Sequence, residues 1–515
     1  MNSPQSQVLN DPDGALSEIP AKSDIVVVAQ GGGTAFISTA ATRILSYVYS
    51  LALIKVLGAE DFGQFSLALA SVLFFGTLAS IGLPQGIVRF GVIHNPSNPK
   101  AGVHQTTLTA IRIALPVSVL FTLVVFLSAH LIAQDLFHKP DLYGMIRIFA
   151  ISIPFMSMQA IFLASTRALK VIRYSAIVWI IQPLLALLLG LFLVMRGYGA
   201  NAAALAYVIS FVCGAFLALL FYLRVIPPTD RSGRAFPAGQ MLNFSIPLSL
   251  TEWMHFANER TEIYFLGLLS SAVNISIYKI AWSLAGLETM LRLSLEQILA
   301  PFSSDLSHRK ETKQLERLYK AVTKWGFTIA VMLFVIYVLF GKELMYIFDP
   351  ALAAGTWVLI ALALAQLINE FTGPCNTLLI MSGRSDLTLM NTIILLVSSV
   401  ALDWLLIPRY GLLGAAIAGA ICVIFINILR VVEVWWTLKI HPWKWSLWKP
   451  ALSGILAGGI VWTLRQAGLS GSLVVELLMI FVFCGAYFFI NVLLKLDPDD
   501  LTVLSYFRRK LTVAK

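Results

Sequence analysis

Charge is what this sequence has least of. Asp, Glu, Lys and Arg make up 12% of the 515 residues, while hydrophobic residues make up 58% and the mean hydropathy is +0.81. A water-soluble domain carries about 25% charged residues, so this chain cannot cover a water-exposed surface of its size. A soluble enzyme and a nucleic-acid-binding module are thereby excluded. Cysteine is also scarce. Cys213, Cys375, Cys422 and Cys484 lie far apart in apolar stretches, without metal-ligand spacing, and read as buried structural residues. No G-x-x-x-x-G-K-[ST] phosphate loop occurs, and Gly31-Gly32-Gly33 follows no strand and lacks the lysine. The polar stretches are too short to fold into a nucleotide-binding or catalytic domain, which excludes an ATPase motor within this chain. The first 24 residues are polar and mildly acidic (Asp11, Asp13, Glu18, Asp24). Without a basic start and an apolar core they predict a cytosolic tail and no cleaved signal peptide.

What is present is long apolar runs, such as 176–195, interrupted only by Gln182 and Pro183. A spanning helix needs about 20 such residues, whereas barrel strands show about 10 of alternating polarity. The sequence therefore predicts an all-α integral membrane protein. Spans are expected at 33–56, 63–86, 107–132, 143–166, 174–195, 200–223, 243–267, 273–299, 324–341, 355–381, 387–407, 411–436, 448–466 and 471–494, the seventh and eighth being the least apolar. Loop charge sets the orientation. With the N-terminus inside, inner segments hold 25 Lys and Arg and outer segments hold 6. This is the positive-inside pattern and places both termini in the cytosol. The net charge of +10 is thus mostly loop bias.

A weak repeat runs at an offset of about 210 residues. Arg196-Gly197-Tyr198-Gly199 before Ala202-Ala203-Ala204 matches Pro408-Arg409-Tyr410-Gly411 before Gly414-Ala415-Ala416, and Leu57-Gly58 matches Leu266-Gly267. Six spans per unit is an even number, so the units are parallel, related by an axis along the membrane normal. The expected map is a tail at 1–30, an N-lobe at 31–224, a linker at 225–241, a C-lobe at 242–437, two extra spans at 438–494 and a tail at 495–515. Two six-helix lobes so related enclose a central cavity.

Residues 54–90, from Ile-Lys-Val-Leu-Gly-Ala-Glu-Asp-Phe-Gly-Gln-Phe-Ser to Ser-Ile-Gly-Leu-Pro-Gln-Gly-Ile-Val-Arg-Phe, resemble the opening pattern of the bacterial polysaccharide flippase family. Residues 376–420, with Asn-Thr-Leu-Leu-Ile-Met-Ser-Gly-Arg and Leu-Leu-Ile-Pro-Arg-Tyr-Gly-Leu-Leu-Gly-Ala-Ala-Ile-Ala, resemble its later pattern. That family shares a superfamily with multidrug extruders and the lipid II flippase. The resemblance implies alternating access in the bacterial inner membrane and an undecaprenyl-diphosphate-linked oligosaccharide as cargo. Its implied partners are that lipid, the bilayer, and polysaccharide polymerase and chain-length machinery, with no nucleic acid or nucleotide. No cofactor is expected beyond an H⁺ or Na⁺ gradient. The rival readings are an ion-coupled multidrug extruder of the same superfamily and, in another class, a membrane-embedded glycan polymerase or acyltransferase.

Charges within spans are costly, about 2.5–3.5 kcal/mol each at mid-depth, and mark candidate sites. Glu252, His255, Glu259 and Glu262 step by 3, 4 and 3 and share one helical face, bordered by Asn258. That face is expected either to line the cavity, with Glu252, His255 or Glu259 taking up a coupling ion, or to form an inter-helical ion-pair network. Arg43 stands opposite Glu252 in the repeat. It is expected either to grip diphosphate bidentately or to pair with Glu252 or Glu259. Glu288, Arg292 and Glu296 recur at i, i+4 and i+8, as a structural triad or as cavity lining. Gln366, Asn369 and Glu370 share a face ahead of Gly373-Pro374, a predicted kink, and the repeat pairs Gln159 with Glu370. Lys313, Arg317, Lys320 and Lys324 predict a basic amphipathic helix on the inner leaflet before the ninth span. Asp403 and Lys279 are expected near the outer interface.

Overall fold

The computed structural model describes residues 24–228, 236–468, 471–495, 497 and 500. Most of the two expected tails and the middle of the expected linker lie outside these residues. Among the described residues there is no strand. In chain order the helices are α1 Asp24–Ser80, α2 Leu83–His94, α3 Pro99–His130, α4 Leu142–Ala150, α5 Ser152–Ala168, α6 Arg173–Met195, α7 Gly199–Val225, α8 Ala238–Asn258 and α9 Thr261–Leu269. They continue with α10 Ala272–Ala285, α11 Met290–His308, α12 Thr312–Phe348, α13 Thr356–Thr372, α14 Cys375–Met381, α15 Ser385–Leu438, α16 Trp448–Gln466 and α17 Leu473–Leu493. Helix already begins at Asp24, inside the expected tail.

Ten of the described helical stretches are long and apolar enough to cross a membrane. Two of the ten, Arg43–His94 and Ser385–Leu438, each hold two of the predicted spans. The backbone breaks at Gly58 (φ 82°) in α1 and at Gly411 (φ 55°) in α15, in the left-handed region that glycine tolerates. Across the second break, Asn391 Nδ2 donates to Glu433 Oε2 at 2.7 Å. In a straight helix these residues would lie roughly 60 Å apart, so α15 folds back on itself. The repeat is visible in the same geometry: Gly199, the partner of Gly411, also has a left-handed φ of 68°. The predicted seventh and eighth spans are not among the ten. Each is divided, α8 from α9 at Glu259–Arg260 and α10 from α11 at Gly286–Thr289.

The core is one large apolar cluster running through both halves, with a second cluster around α2, α3 and α5 and a third around α11, α12 and α14. α1 joins the halves, packing on α5, α6 and α7 on one side and on α10 and α11 on the other. The α1–α10 seam is very close. A Cβ on Gly63 would stand 1.9 Å from the Ala272 carbonyl oxygen, and the Ser276 hydroxyl donates to the Ala59 carbonyl.

Two sequence expectations change here. The basic helix before the ninth span is continuous with it, α12 being 37 residues long. Lys324 does not float on a leaflet but ion-pairs with Asp497 at 2.9 Å and with Asp500 at 2.5 Å. The expected kink at Gly373-Pro374 is a full stop: α13 ends, Gly373 takes φ 69°, and α14 starts afresh at Cys375.

Candidate functional site

A cavity of ≈ 290 Å³ opens between the two halves. The break in α1 brings Tyr49 and Phe65 round to pack against Tyr207 of α7, with ring centroids 6.5 and 6.4 Å away. Ser46, Ser50 and Ser66 add hydroxyls to the wall. The far side carries two cations, Arg260 and Lys279. Arg260 comes from the α8–α9 break, where it stacks 3.8 Å over the Phe256 ring and donates to Glu259 at 3.2 Å. Lys279 makes no ion pair among the described residues and interacts electrostatically with Arg260, with the carboxylate of Glu259 and with Arg43. Arg43 itself approaches the α10–α11 turn, its Nη1 3.6 Å from where a Gly286 Cβ would stand, and is also unpaired among the described residues. One turn on, the Tyr47 hydroxyl donates to the Ser283 carbonyl and ties α1 to that turn. Three cations with one carboxylate among them give this cavity a positive field, the chemistry that holds a phosphate group.

A second cavity, of ≈ 340 Å³, lies between α1, α2, α5, α6, α7 and α8. Its lining includes Gln85, Gln159, Arg167, Trp179, Phe211 and Glu252. Glu252 accepts from the Gln85 amide nitrogen, and Gln159 Nε2 donates to Gln182 Oε1 at 2.7 Å. Glu252 and Gln159 both line this second cavity. The expected Arg43–Glu252 pair is not formed; Glu252 is occupied by Gln85.

The acidic face of the seventh span does not survive as one wall, because the helix breaks at Glu259–Arg260. His255 and Glu259 form an exposed pair at 3.6 Å. Asn258 turns to α15, where its Oδ1 accepts from Ser399 at 3.1 Å. Glu262, on the restarted helix, is buried against α15 beside Tyr278; a Cβ on Gly419 would lie 3.0 Å from Glu262 Oε1 and 3.2 Å from the Tyr278 hydroxyl. Asp403, fully buried and with both carboxylate oxygens lacking a hydrogen-bond partner, interacts electrostatically with Glu262. Asp403 is therefore buried inside the protein, facing Glu262 of α9. Nothing in its spacing revealed this, because α15 and α9 meet only in three dimensions.

Arg292 holds a separate knot. Its Nε donates to Glu370 Oε1 at 2.7 Å, and its Nη1 bonds the Glu296 carboxylate. The Arg292–Glu296 pair thus forms along α11 and α13 joins it, but the expected triad is incomplete, since Glu288 lies ahead of α11, buried with neither carboxylate oxygen hydrogen-bonded. Gln366 accepts from Asn369 at 2.9 Å on the same helix. Gly326 of α12 leaves the room the knot needs: a Cβ there would stand 2.3 Å from Glu370 Oε2. Glu370 thus sits in a buried ion pair with Arg292.

The family model described as "Polysaccharide biosynthesis protein" matches residues 28–307, and the "MatE" model matches residues 247–405. Two Haloferax volcanii proteins are similar in sequence. "Probable flippase AglR" is 26% identical over 32% of this chain and 36% of its own length. "Probable low-salt glycan biosynthesis flippase Agl15" is 21% identical over 43% of this chain and 47% of its own length. The chain matches less than half of either relative. Among solved structures, the lipid II flippase MurJ in an inward closed conformation aligns with a TM-score of 0.72 at 16% identity, covering 89% of this chain and 98% of MurJ. An inward-facing multidrug resistance MATE transporter of the MOP superfamily aligns with a TM-score of 0.67 at 16% identity, covering 77% and 94%. A MOP superfamily transporter from Pyrococcus furiosus gives 0.60 at 14%, covering 83% and 97%. With more than half of its residues inside the first family match, this multi-pass membrane protein belongs to the polysaccharide biosynthesis protein family.

Proposed function

We propose that the protein is a flippase that carries a diphosphate-linked glycan lipid, of the undecaprenyl type, across the bacterial cytoplasmic membrane by alternating access. The observation that carries this reading is the cation-rich cavity between the halves, where Arg260 has only the exposed Glu259 beside it and Lys279 has no ion pair among the described residues. Arg260 and Lys279 line this partly buried cavity with Arg43 near them, and charge–charge attraction is stronger there than in bulk water. They neutralise the diphosphate while the lipid tail stays in the bilayer. Cargo binding relieves the mutual repulsion of the three cations and so favours the loaded state. No bond of the cargo is made or broken in this cycle.

Coupling is assigned to the Glu262–Asp403 pair rather than to the exposed His255–Glu259 pair. Two carboxylates buried together, neither in an ion pair among the described residues, cannot both stay charged. They take up a proton or a cation, which is how a gradient would act on α9 and α15. The match to the "MatE" model favours a multidrug extruder as the second reading, but a positive cavity disfavours cationic drugs.

Deletion of the gene tests the proposal. A surface glycan should disappear while its lipid-linked unit accumulates on the inner side. Unchanged surface glycan together with new drug sensitivity would favour the extruder.

A further inference from the structure

The two cavities are stacked along the same helices. Leu73 of α1 lines the cationic one and Gly76 the second; Tyr207 and Phe211 do the same on α7, as do Pro183 and Trp179 on α6. At 1.5 Å of rise per residue, these steps separate the cavities by about 5–6 Å, one helical turn. Whatever is attached directly to a phosphate in the first cavity reaches the second.

The second cavity carries unspent hydrogen-bonding capacity. Gln85 Oε1, Gln159 Oε1 and Arg167 Nε are buried and have no partner. Both glutamines are clamped at their nitrogens, by Glu252 and Gln182, and each leaves its oxygen without a partner, that of Gln159 beside Gly214. Arg167 supplies donors and makes no ion pair among the described residues. Buried polar atoms left alone cost about 1–3 kcal/mol each, so three in one lining mark a site that a ligand completes. Trp179, 50% exposed, and Phe211 add flat apolar faces. Acceptors, donors and aromatic faces together suit a hydroxyl-rich ring with an apolar side. The ≈ 340 Å³ volume falls within the usual range for small-ligand sites.

We infer that this cavity is a saccharide subsite, holding the sugar bonded to the diphosphate that the neighbouring cations grip. Gln85 and Gln159 accept from its hydroxyls, Arg167 donates to its oxygens, and Trp179 covers its C–H face. The inference rests on the flippase reading and adds to it a place where the glycan itself is recognised.

The test uses the purified full chain in detergent and two probes. One is the diphosphate-linked glycan lipid fraction extracted from the source membrane. The other is undecaprenyl diphosphate, which carries the lipid and the diphosphate and no glycan. The wild type should bind the glycan-bearing form more tightly. Gln85→Ala and Gln159→Ala should each weaken that form roughly 2–10-fold, the value of one hydrogen bond, and leave the sugar-free form unchanged. Gln159→Asn, which keeps the amide but shortens it, serves if either alanine variant fails to fold. Equal wild-type binding of both forms, or equal weakening of both by the variants, overturns the subsite. Failure of the wild type to bind either form overturns the flippase reading instead.

Discussion

Replacing Arg292 with alanine should be among the most damaging single changes available in this chain. Its guanidinium bonds Glu370, which is fully buried, and Glu296, whose side chain is 17% exposed. Removing it leaves both carboxylates without their cation in a site closed by Gly326. Breaking a buried ion pair by deleting one partner costs about 3–5 kcal/mol, whereas replacing the whole pair with apolar residues of similar size is often neutral. Arg292→Ala should therefore lower the thermal midpoint of the purified protein strongly. Arg292→Met combined with Glu370→Leu and Glu296→Leu should recover most of the loss. Fluorescence-detected unfolding in detergent reads both. If Arg292→Ala melts like the wild type, or if the triple variant is no better than the single one, the knot is not a buried charge network and the reasoning fails.

The other predictions follow from equally local contacts. Gly326→Ala pushes a methyl onto Glu370 Oε2 and should cost about 1–3 kcal/mol, read in the same melt; Gly459→Ala, with nothing within 4 Å, is the matched control. Asp497 takes bonds from Ser446, Lys324 and Lys449 at 2.5, 2.9 and 3.0 Å, so burial pushes its carboxyl up but these partners outweigh it and hold it below the usual range. A depressed carboxylate contributes stability that is present above its unfolded pKa, near 4, and is lost as pH falls through the folded value. Asp497→Asn should be less stable than wild type at pH 7, and the gap should narrow below about pH 4. Asp403→Asn should abolish the response of proteoliposome transport to an imposed proton or sodium gradient, with cargo binding retained; an undiminished gradient response sinks the coupling assignment.

Much of the fold was legible because the lipid bilayer reads composition and length directly. Apolar runs of about 20 residues need no tertiary information. The turn at Gly411 was marked by its match to Gly199, since both require a left-handed backbone. The site was legible only in part. Helical spacing placed Arg292 with Glu296, because i and i+4 neighbours are fixed by the helix itself. It failed for Glu262, because the break at Glu259–Arg260 rotates everything after it. It gave no sign that Arg260 and Lys279, on different helices, face one cavity, or that Asp403 meets Glu262. Those pairings are set by how α9, α10 and α15 pack, and a single sequence carries no direct record of packing.

The central claim is that Arg43, Arg260 and Lys279 bind a diphosphate. The direct measurement is binding of undecaprenyl diphosphate to the purified protein as a function of salt, for the wild type and for the variant carrying Arg43→Ala, Arg260→Ala and Lys279→Ala. The account predicts salt-sensitive wild-type binding that the triple variant loses, while its thermal midpoint stays near that of the wild type. Equal binding by the two proteins would contradict it.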